Sequence, residues 1–258
     1  MGISLDYSLN IFFNNWMLIV LIALRFFGVM MICPLFGERV PKIVKMLLAL
    51  SFSAIMLEYF SPHKLAQFEP IMFVFLMARE LVIGYLLGYL FSFPLWMIEG
   101  TGNLIDMQRG EQFGSLINPM TKNPSSSISK LIFQGFIVYF ITANGFLYLL
   151  KLIFTSFIIL PAAELNLKFI PNKALFVQFF ADYFYWILML AMPVIFAMLL
   201  VDLVLGLLNS FIQQINVTTL GMPIKSMVAL IFMVFYLGVL YRVSLNQFGN
   251  ITWLAFFK

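Results

Sequence analysis

The chain has 258 residues, 63 % of them hydrophobic and only 10 % charged, with a net charge of +4 from 15 Lys+Arg against 11 Asp+Glu. An ordinary soluble domain is about 45–50 % apolar and about 25 % charged, and a globule of this size cannot hide 31 Phe and 17 Met, because surface shrinks too slowly with size. The composition excludes a soluble enzyme, a disordered regulator and a nucleic-acid module, and indicates an integral membrane protein or a member of a membrane-like assembly.

Residues 1–10 carry Asp6 but no Lys or Arg. They lack the basic n-region of a cleaved signal peptide, so the first apolar run is expected to stay in the mature protein. The apolar runs show no alternation of a lipid-facing barrel, and a span must satisfy its own backbone, so the runs read as helices. Six such segments follow: 11–36 with Arg25, a short one at 43–59, 71–98 with Arg79 and Glu80, 131–160 with Lys151, 174–208 with Asp182 and Asp202, and 224–245 with Arg242. Pro34, Gly37 and Pro41, then Pro62 and Pro70, Pro119 and Pro124, Pro161 and Pro171, and finally Gly221 and Pro223 separate them. The fold class is all-α, polytopic, built of helical hairpins.

Arg39, Lys42 and Lys45 in the first loop, with Arg109 and Lys122 in the third, place the N-terminus outside and the odd loops in the cytoplasm. Lys168 and Lys173 in the fourth loop run against that orientation. The lone Cys33 lies in an apolar run and packs as a small hydrophobe, and the lone His63 sits in a polar loop. One His and one Cys supply neither zinc chemistry nor a Cys–His nucleophile, and no Gly-rich phosphate loop occurs, so no catalytic residue, cofactor or metal site is expected.

The charges within or at the ends of apolar helices are the main anomaly. A charge at bilayer mid-depth costs about 2.5–3.5 kcal/mol, so Arg25, Arg79, Glu80, Glu99, Asp182 and Asp202 must face protein or water. Two readings follow: a secondary transporter with a charged pathway, or a subunit whose helices meet other subunits. Arg79 and Glu80 project about 100° apart on a helix and call for separate partners, whereas Asp106 and Arg109, three apart, share a face. Gly84 and Gly88 form a Gly-x-x-x-Gly that lets helices approach closely. Asn209, Gln213, Gln214 and Asn216 read as a helical-hairpin tip. After the polar stretch 99–110 comes Glu111-Gln-Phe-Gly-Ser-Leu-Ile-Asn-Pro119, whose apolar residues either tuck against the core or plug a pore.

Several segments together are similar to one family. Pro34-Leu-Phe-Gly-Glu-Arg39, Arg79-Glu-Leu-Val-Ile-Gly-Tyr-Leu-Leu-Gly88, Ile105-Asp-Met-Gln-Arg-Gly110, Ser115-Leu-Ile-Asn-Pro119, Leu203-Val-Leu-Gly-Leu-Leu208, Ile215-Asn216 and Ile224-Lys-Ser226 resemble, in order and spacing, the FliR/SctT family of type III secretion export-apparatus membrane proteins. The Ile-Asp-Met-Gln-Arg-Gly segment resembles the injectisome branch rather than the flagellar one. The resemblance implies a fusion: residues 1–175, including the plug loop, similar to SctR (FliP), and 176–258 similar to the SctS (FliQ) hairpin. It implies a virulence-associated hetero-oligomer in which one copy joins SctR(FliP)-like and SctS(FliQ)-like subunits. An SctU(FlhB)-like subunit would lie at the entrance, an SctV-like subunit below and inner-rod and needle subunits above. Unfolded secretion substrates would pass through.

The implied location is the bacterial inner membrane within the basal body, with the core raised toward the periplasm. Phe113, Gly114, Ser115, Leu116, Ile117 and Asn118 would then be the plug of a protein-export channel, Leu116 standing where flagellar relatives often have a second Phe. Arg25, Arg79, Glu80, Asp106, Arg109 and Asp202 would make intersubunit or structural contacts.

Overall fold

The structure, a computed structural model, describes residues 2–37, 40–57, 70–111, 127–162, 173–211 and 217–250. Among them lie seven α-helices and no strand. In chain order these are α1 (Gly2–Ile32), α2 (Lys42–Met56), α3 (Pro70–Arg109), α4 (Ser127–Thr142), α5 (Gly145–Ile159), α6 (Lys173–Phe211) and α7 (Val217–Asn250), with one 3₁₀ turn at Pro34–Phe36. Four helices are long and apolar enough to cross a membrane, in α1, α3, α6 and α7, and the pair α4 and α5 makes a fifth if it is one broken span.

The boundaries follow from backbone chemistry. Proline fixes φ and lacks an N–H, so Pro34 opens the 3₁₀ turn after α1, and Pro41, at φ −57°, caps α2. The apolar run 131–160 is one stretch by hydropathy but two helices in the structure. Asn144 adopts φ 60°, a left-handed conformation that Asn tolerates better than most residues. The Phe140 ring lies where a side chain on Gly145 would stand. Conversely, Gly221 and Pro223, read as breakers, lie inside α7. A missing donor near a helix start is a local loss, and neighbouring helices in membrane proteins make such losses tolerable. Lys45, counted above among the loop charges, instead lies on the buried face of α2 with Ala49, Ser53 and Met56.

The chain forms two compact units. The first contains α1, α2, the first part of α3 up to Ser92, and α5 from Phe146. Its core holds Leu21, Ile22, Phe26 and Met30 of α1, Leu76 and Leu87 of α3, and Phe157 of α5, all essentially without solvent contact. Phe26 stacks on Phe52 at 5.7 Å and meets Phe157 at 6.2 Å. In this unit α1 and α3 approach to backbone contact. A Cβ on Gly28 would stand 2.9 Å from the Leu81 carbonyl oxygen, one on Gly88 2.8 Å from that of Val29, and one on Gly84 would overlap that of Arg25.

The second unit contains α3 from Phe93, α4, α6 and α7. Ile128, Ile132, Phe136 and Phe140, spaced by four, bury one stripe of α4. Phe136 meets Tyr241 at 5.5 Å, and the Tyr241 hydroxyl donates to the Ile132 carbonyl at 2.9 Å. That hydroxyl occupies the space over Gly135 which any side chain would need. Phe93 packs on Phe179 at 3.8 Å and on Tyr183 at 4.6 Å. The outward faces stay apolar, with Phe184, Leu188, Phe196, Leu203 and Phe211 of α6 all exposed. Such a surface belongs in a bilayer or against other protein.

Candidate functional site

The ion pairs among the described residues fall in three places. The first joins Arg25, Arg79 and Glu80, which α1 and α3 bring together in the first unit. Arg25 Nε donates to Glu80 Oε2 at 2.6 Å, Nη1 donates to Ser156 Oγ at 3.1 Å, and Nη2 donates to the Leu160 carbonyl at 2.9 Å. The guanidinium also lies 3.9 Å from the Phe157 ring centroid, a favourable place for a cation. Arg25 and Glu80 are wholly buried. Arg79, next along α3, reaches the other Glu80 oxygen at 3.5 Å and the Pro161 carbonyl at 3.5 Å. The two neighbours on α3 thus have separate partners, Arg25 for Glu80 and the Pro161 carbonyl for Arg79, and the long arginine stem also brings Arg79 within 3.5 Å of the Glu80 carboxylate. Two cations and one anion tie α1 and α3 to the end of α5.

The second cluster closes the end of α3 onto the start of α4. Arg109 Nη2 bridges Asp106 Oδ1, at 2.8 Å, and Glu111 Oε2. Gly110, at φ 89°, ends α3 and turns the chain toward Glu111. Such a conformation is one that glycine adopts at little cost. Both carboxylates cap α4. Asp106 Oδ2 accepts from the Ser129 amide at 2.9 Å, and Glu111 Oε1 accepts from the Ser127 amide at 3.1 Å and its hydroxyl at 2.7 Å. The first amides of a helix have no partner within it and favour negative charge, so these are good acceptors. The Ser129 hydroxyl donates to the Glu99 carbonyl at 2.9 Å, and Gly102 leaves the room that Ser129 fills.

Burial pushes the Glu111 carboxyl up, but the Ser127 and Arg109 donors outweigh it and hold it below its ordinary range. Its contribution is therefore present above the ordinary carboxylate value and is lost as pH falls through the lower folded value.

The third place is a pair between α6 and α7, Lys225 Nζ to Asp202 Oδ1 at 2.5 Å, partly exposed. The residues Phe113, Gly114, Ser115, Leu116, Ile117 and Asn118 lie outside the described residues. Reading the sequence missed Glu111, Ser127, Ser129, Ser156, Lys225 and Gly28. A serine opening a helix just before an apolar stripe is a signal that would have found Ser127 and Ser129. Among the described residues no three His, Cys, Asp or Glu side chains converge to hold a metal.

Residues 16–251 match the family described as Bacterial export proteins, family 1. The chain belongs to this family, the FliR/SctT proteins. It is a family of non-enzymatic export-apparatus membrane proteins. Within it, the chain is 35 % identical over 166 residues to "Yop proteins translocation protein T" of Yersinia pestis, covering 62 % of each chain. It is 32 % identical over 161 residues to "Surface presentation of antigens protein SpaR" of Shigella flexneri, covering 62 % of this chain and 61 % of that one. It is 27 % identical over 219 residues to "Flagellar biosynthetic protein FliR" of Buchnera aphidicola subsp. Baizongia pistaciae, covering 84 % of each. The chain thus spans 62 % of the length of the Yersinia relative, and its FliR/SctT membership rests on the match over residues 16–251.

Proposed function

We propose that this chain is a core subunit of a type III secretion export gate in the bacterial inner membrane, of the injectisome kind, and that residues 113–118 plug its channel. The match to the export-protein family over 16–251 carries the reading. In this reading residues 1–175 play the SctR-like part and 176–258 the SctS-like part. SctR-like, SctS-like, SctU-like and SctV-like subunits are the partners, along with inner-rod and needle proteins.

Two observations support a place inside an assembly. Helix α3 has 40 residues, about 60 Å at about 1.5 Å per residue, roughly twice the hydrocarbon thickness. The buried charges have internal partners: Arg25 of α1 and Glu80 of α3 are sealed from solvent against each other, and both Asp106 oxygens are engaged. A transporter needs intramembrane groups that ions or solutes reach, so these charges favour scaffolding over a charged pathway.

Mild-detergent extraction from the native membrane followed by native mass spectrometry tests the partners. The expected result is one copy of this chain with several SctR-like and SctS-like subunits. A lone chain, from a complex shown to survive extraction, would overturn the reading. The plug is tested by Phe113→Ala combined with Leu116→Ala. Apolar constrictions stop ions by excluding water, so the assembled double variant is expected to leak ions across the membrane. Wild-type conductance in a correctly assembled complex would remove the plug from this segment.

A further inference from the structure

We propose that the outer face of α6 and α7 lies directly against the acyl chains of a phospholipid bilayer, uncovered by any other subunit, between two charged levels: Asp202 with Lys225, and Asp182 with Arg242. Both helices belong to the second unit. The Lys225–Asp202 pair fixes their register at one level. Further along, Tyr183 and Trp186 of α6 and Val243 of α7 pack on one cluster formed by Met97, Ile187 and Leu190. Asp182 precedes Tyr183 and Arg242 precedes Val243, and both are exposed, so they mark the second level. Between the levels, residues 183–201 of α6 and 226–241 of α7 carry no Asp, Glu, Lys or Arg. The levels are 20 residues apart on α6 and 17 on α7. At about 1.5 Å per residue that is about 30 Å and about 26 Å, close to the roughly 30 Å of a bilayer's hydrocarbon.

Three features select lipid over another subunit. The exposed side chains of this belt are large and apolar, among them Leu188, Met192 and Phe196 on α6 and Ile231, Val234 and Phe235 on α7. Helix contacts within membranes favour small residues that let backbones approach, as Gly28, Gly84 and Gly88 do between α1 and α3. Next, the exposed Tyr185 and the half-buried Trp186 follow Asp182 closely, and these ring types collect at the headgroup level. Finally, the Asp202 and Lys225 side chains are 38 % and 18 % exposed. Charges that open outward are costly at mid-bilayer, so the acyl chains end at this pair and residues 203–211 lie beyond them.

The test uses the whole complex, reconstituted into vesicles of phosphatidylethanolamine and phosphatidylglycerol. Nitroxide labels are attached one at a time to Asp182→Cys, Met192→Cys, Leu203→Cys, Leu207→Cys, Phe235→Cys and Arg242→Cys in a Cys33→Ala background. All six sites are exposed, so a label there leaves the packing intact. Collisions with molecular oxygen, which concentrates among acyl chains, are compared with those of a water-soluble nickel chelate. The oxygen-to-nickel ratio is expected to peak at Met192 and Phe235, midway along the belt. It should stand there about tenfold above its value at Asp182, Leu203 and Arg242, because hydrocarbon excludes a polar chelate.

Weak collisions with both reagents at Met192 and Phe235 would mean that another subunit covers the face. Strong nickel collisions there would mean that water does. Either result overturns the proposal. A ratio that keeps rising from Met192 to Leu207 would put the ion pair at mid-bilayer and overturn the placement of the belt.

Discussion

Replacing Glu80 by Ala is expected to be the most damaging single substitution in the first unit, lowering stability by about 3–5 kcal/mol, the usual cost of stranding a buried charge. Arg25 is wholly buried and would lose its only anionic partner among the described residues, while Arg79, 3.5 Å from the same carboxylate, would be left facing a like charge. The reverse change, Arg25→Met, should cost less, because Glu80 still faces Arg79. It forfeits the donors to Ser156 and the Leu160 carbonyl. The pair Arg25→Met/Glu80→Met removes both buried charges and should recover much of the loss, since apolar replacements of buried ion pairs are often near neutral. Thermal unfolding of the complex in detergent, read for both singles and the double, checks the order. A double variant no better than Glu80→Ala would mean that the bonds to the end of α5, rather than the ion pair, hold this site.

Replacing Gly84 by Leu should separate α1 from α3. The atom in the way is the Arg25 carbonyl oxygen, part of a helix backbone that cannot swing aside as a side-chain tip can. Overpacking a close contact costs about 1–3 kcal/mol and occasionally more. Here the displacement also pulls Arg25 from Glu80, so the two losses compound. Gly84→Ala should show the same defect in milder form. Gly206→Ala and Gly238→Ala are the controls. No atom lies within 4 Å of a Cβ added at either, and both should be neutral or gain up to about 1 kcal/mol from helix propensity. Protease resistance of the detergent-solubilised chain at graded temperatures would rank the four. Equal loss at Gly84 and Gly206 would refute the close-approach argument.

What could be read from the sequence was whatever is written locally. Gly84 and Gly88 announce a close helix contact because they share a helix, but Gly28, which lies against Gly84, stands alone in α1 without a pattern around it. Asp106 and Arg109 are legible as a same-face pair. The bond from Glu111 to Ser127 crosses 16 residues and exists only once α3 and α4 meet. The break at Asn144 left no mark in hydropathy, because it is a backbone event among apolar side chains. Pro223 misled in the other direction, since a proline marks a lost donor and not always the end of a helix. Arg79 and Glu80 were read as needing separate partners, as Cβ directions suggest; Glu80 has Arg25 and Arg79 the Pro161 carbonyl, and the long Arg79 side chain also comes within 3.5 Å of Glu80. Lys45 counts as a loop charge only until α2 is seen to begin before it.

The order of synthesis gives the Arg25 site a further consequence. Arg25 is made 55 residues before Glu80 and 131 before Ser156. At about 5–20 residues per second it waits about 3–11 s for the first and about 7–26 s for the second. Until Glu80 is made, a guanidinium destined for a sealed pocket has none of these partners, and until Ser156 and Leu160 follow it has only the carboxylate. Helix α1 must therefore pass through a holding stage, in contact with water or an insertion factor, and can take its final depth only after α5 has left the ribosome. A nascent chain stalled short of Ser156 should hold α1 so loosely that alkaline carbonate extracts it, while one stalled well past Leu160 should resist.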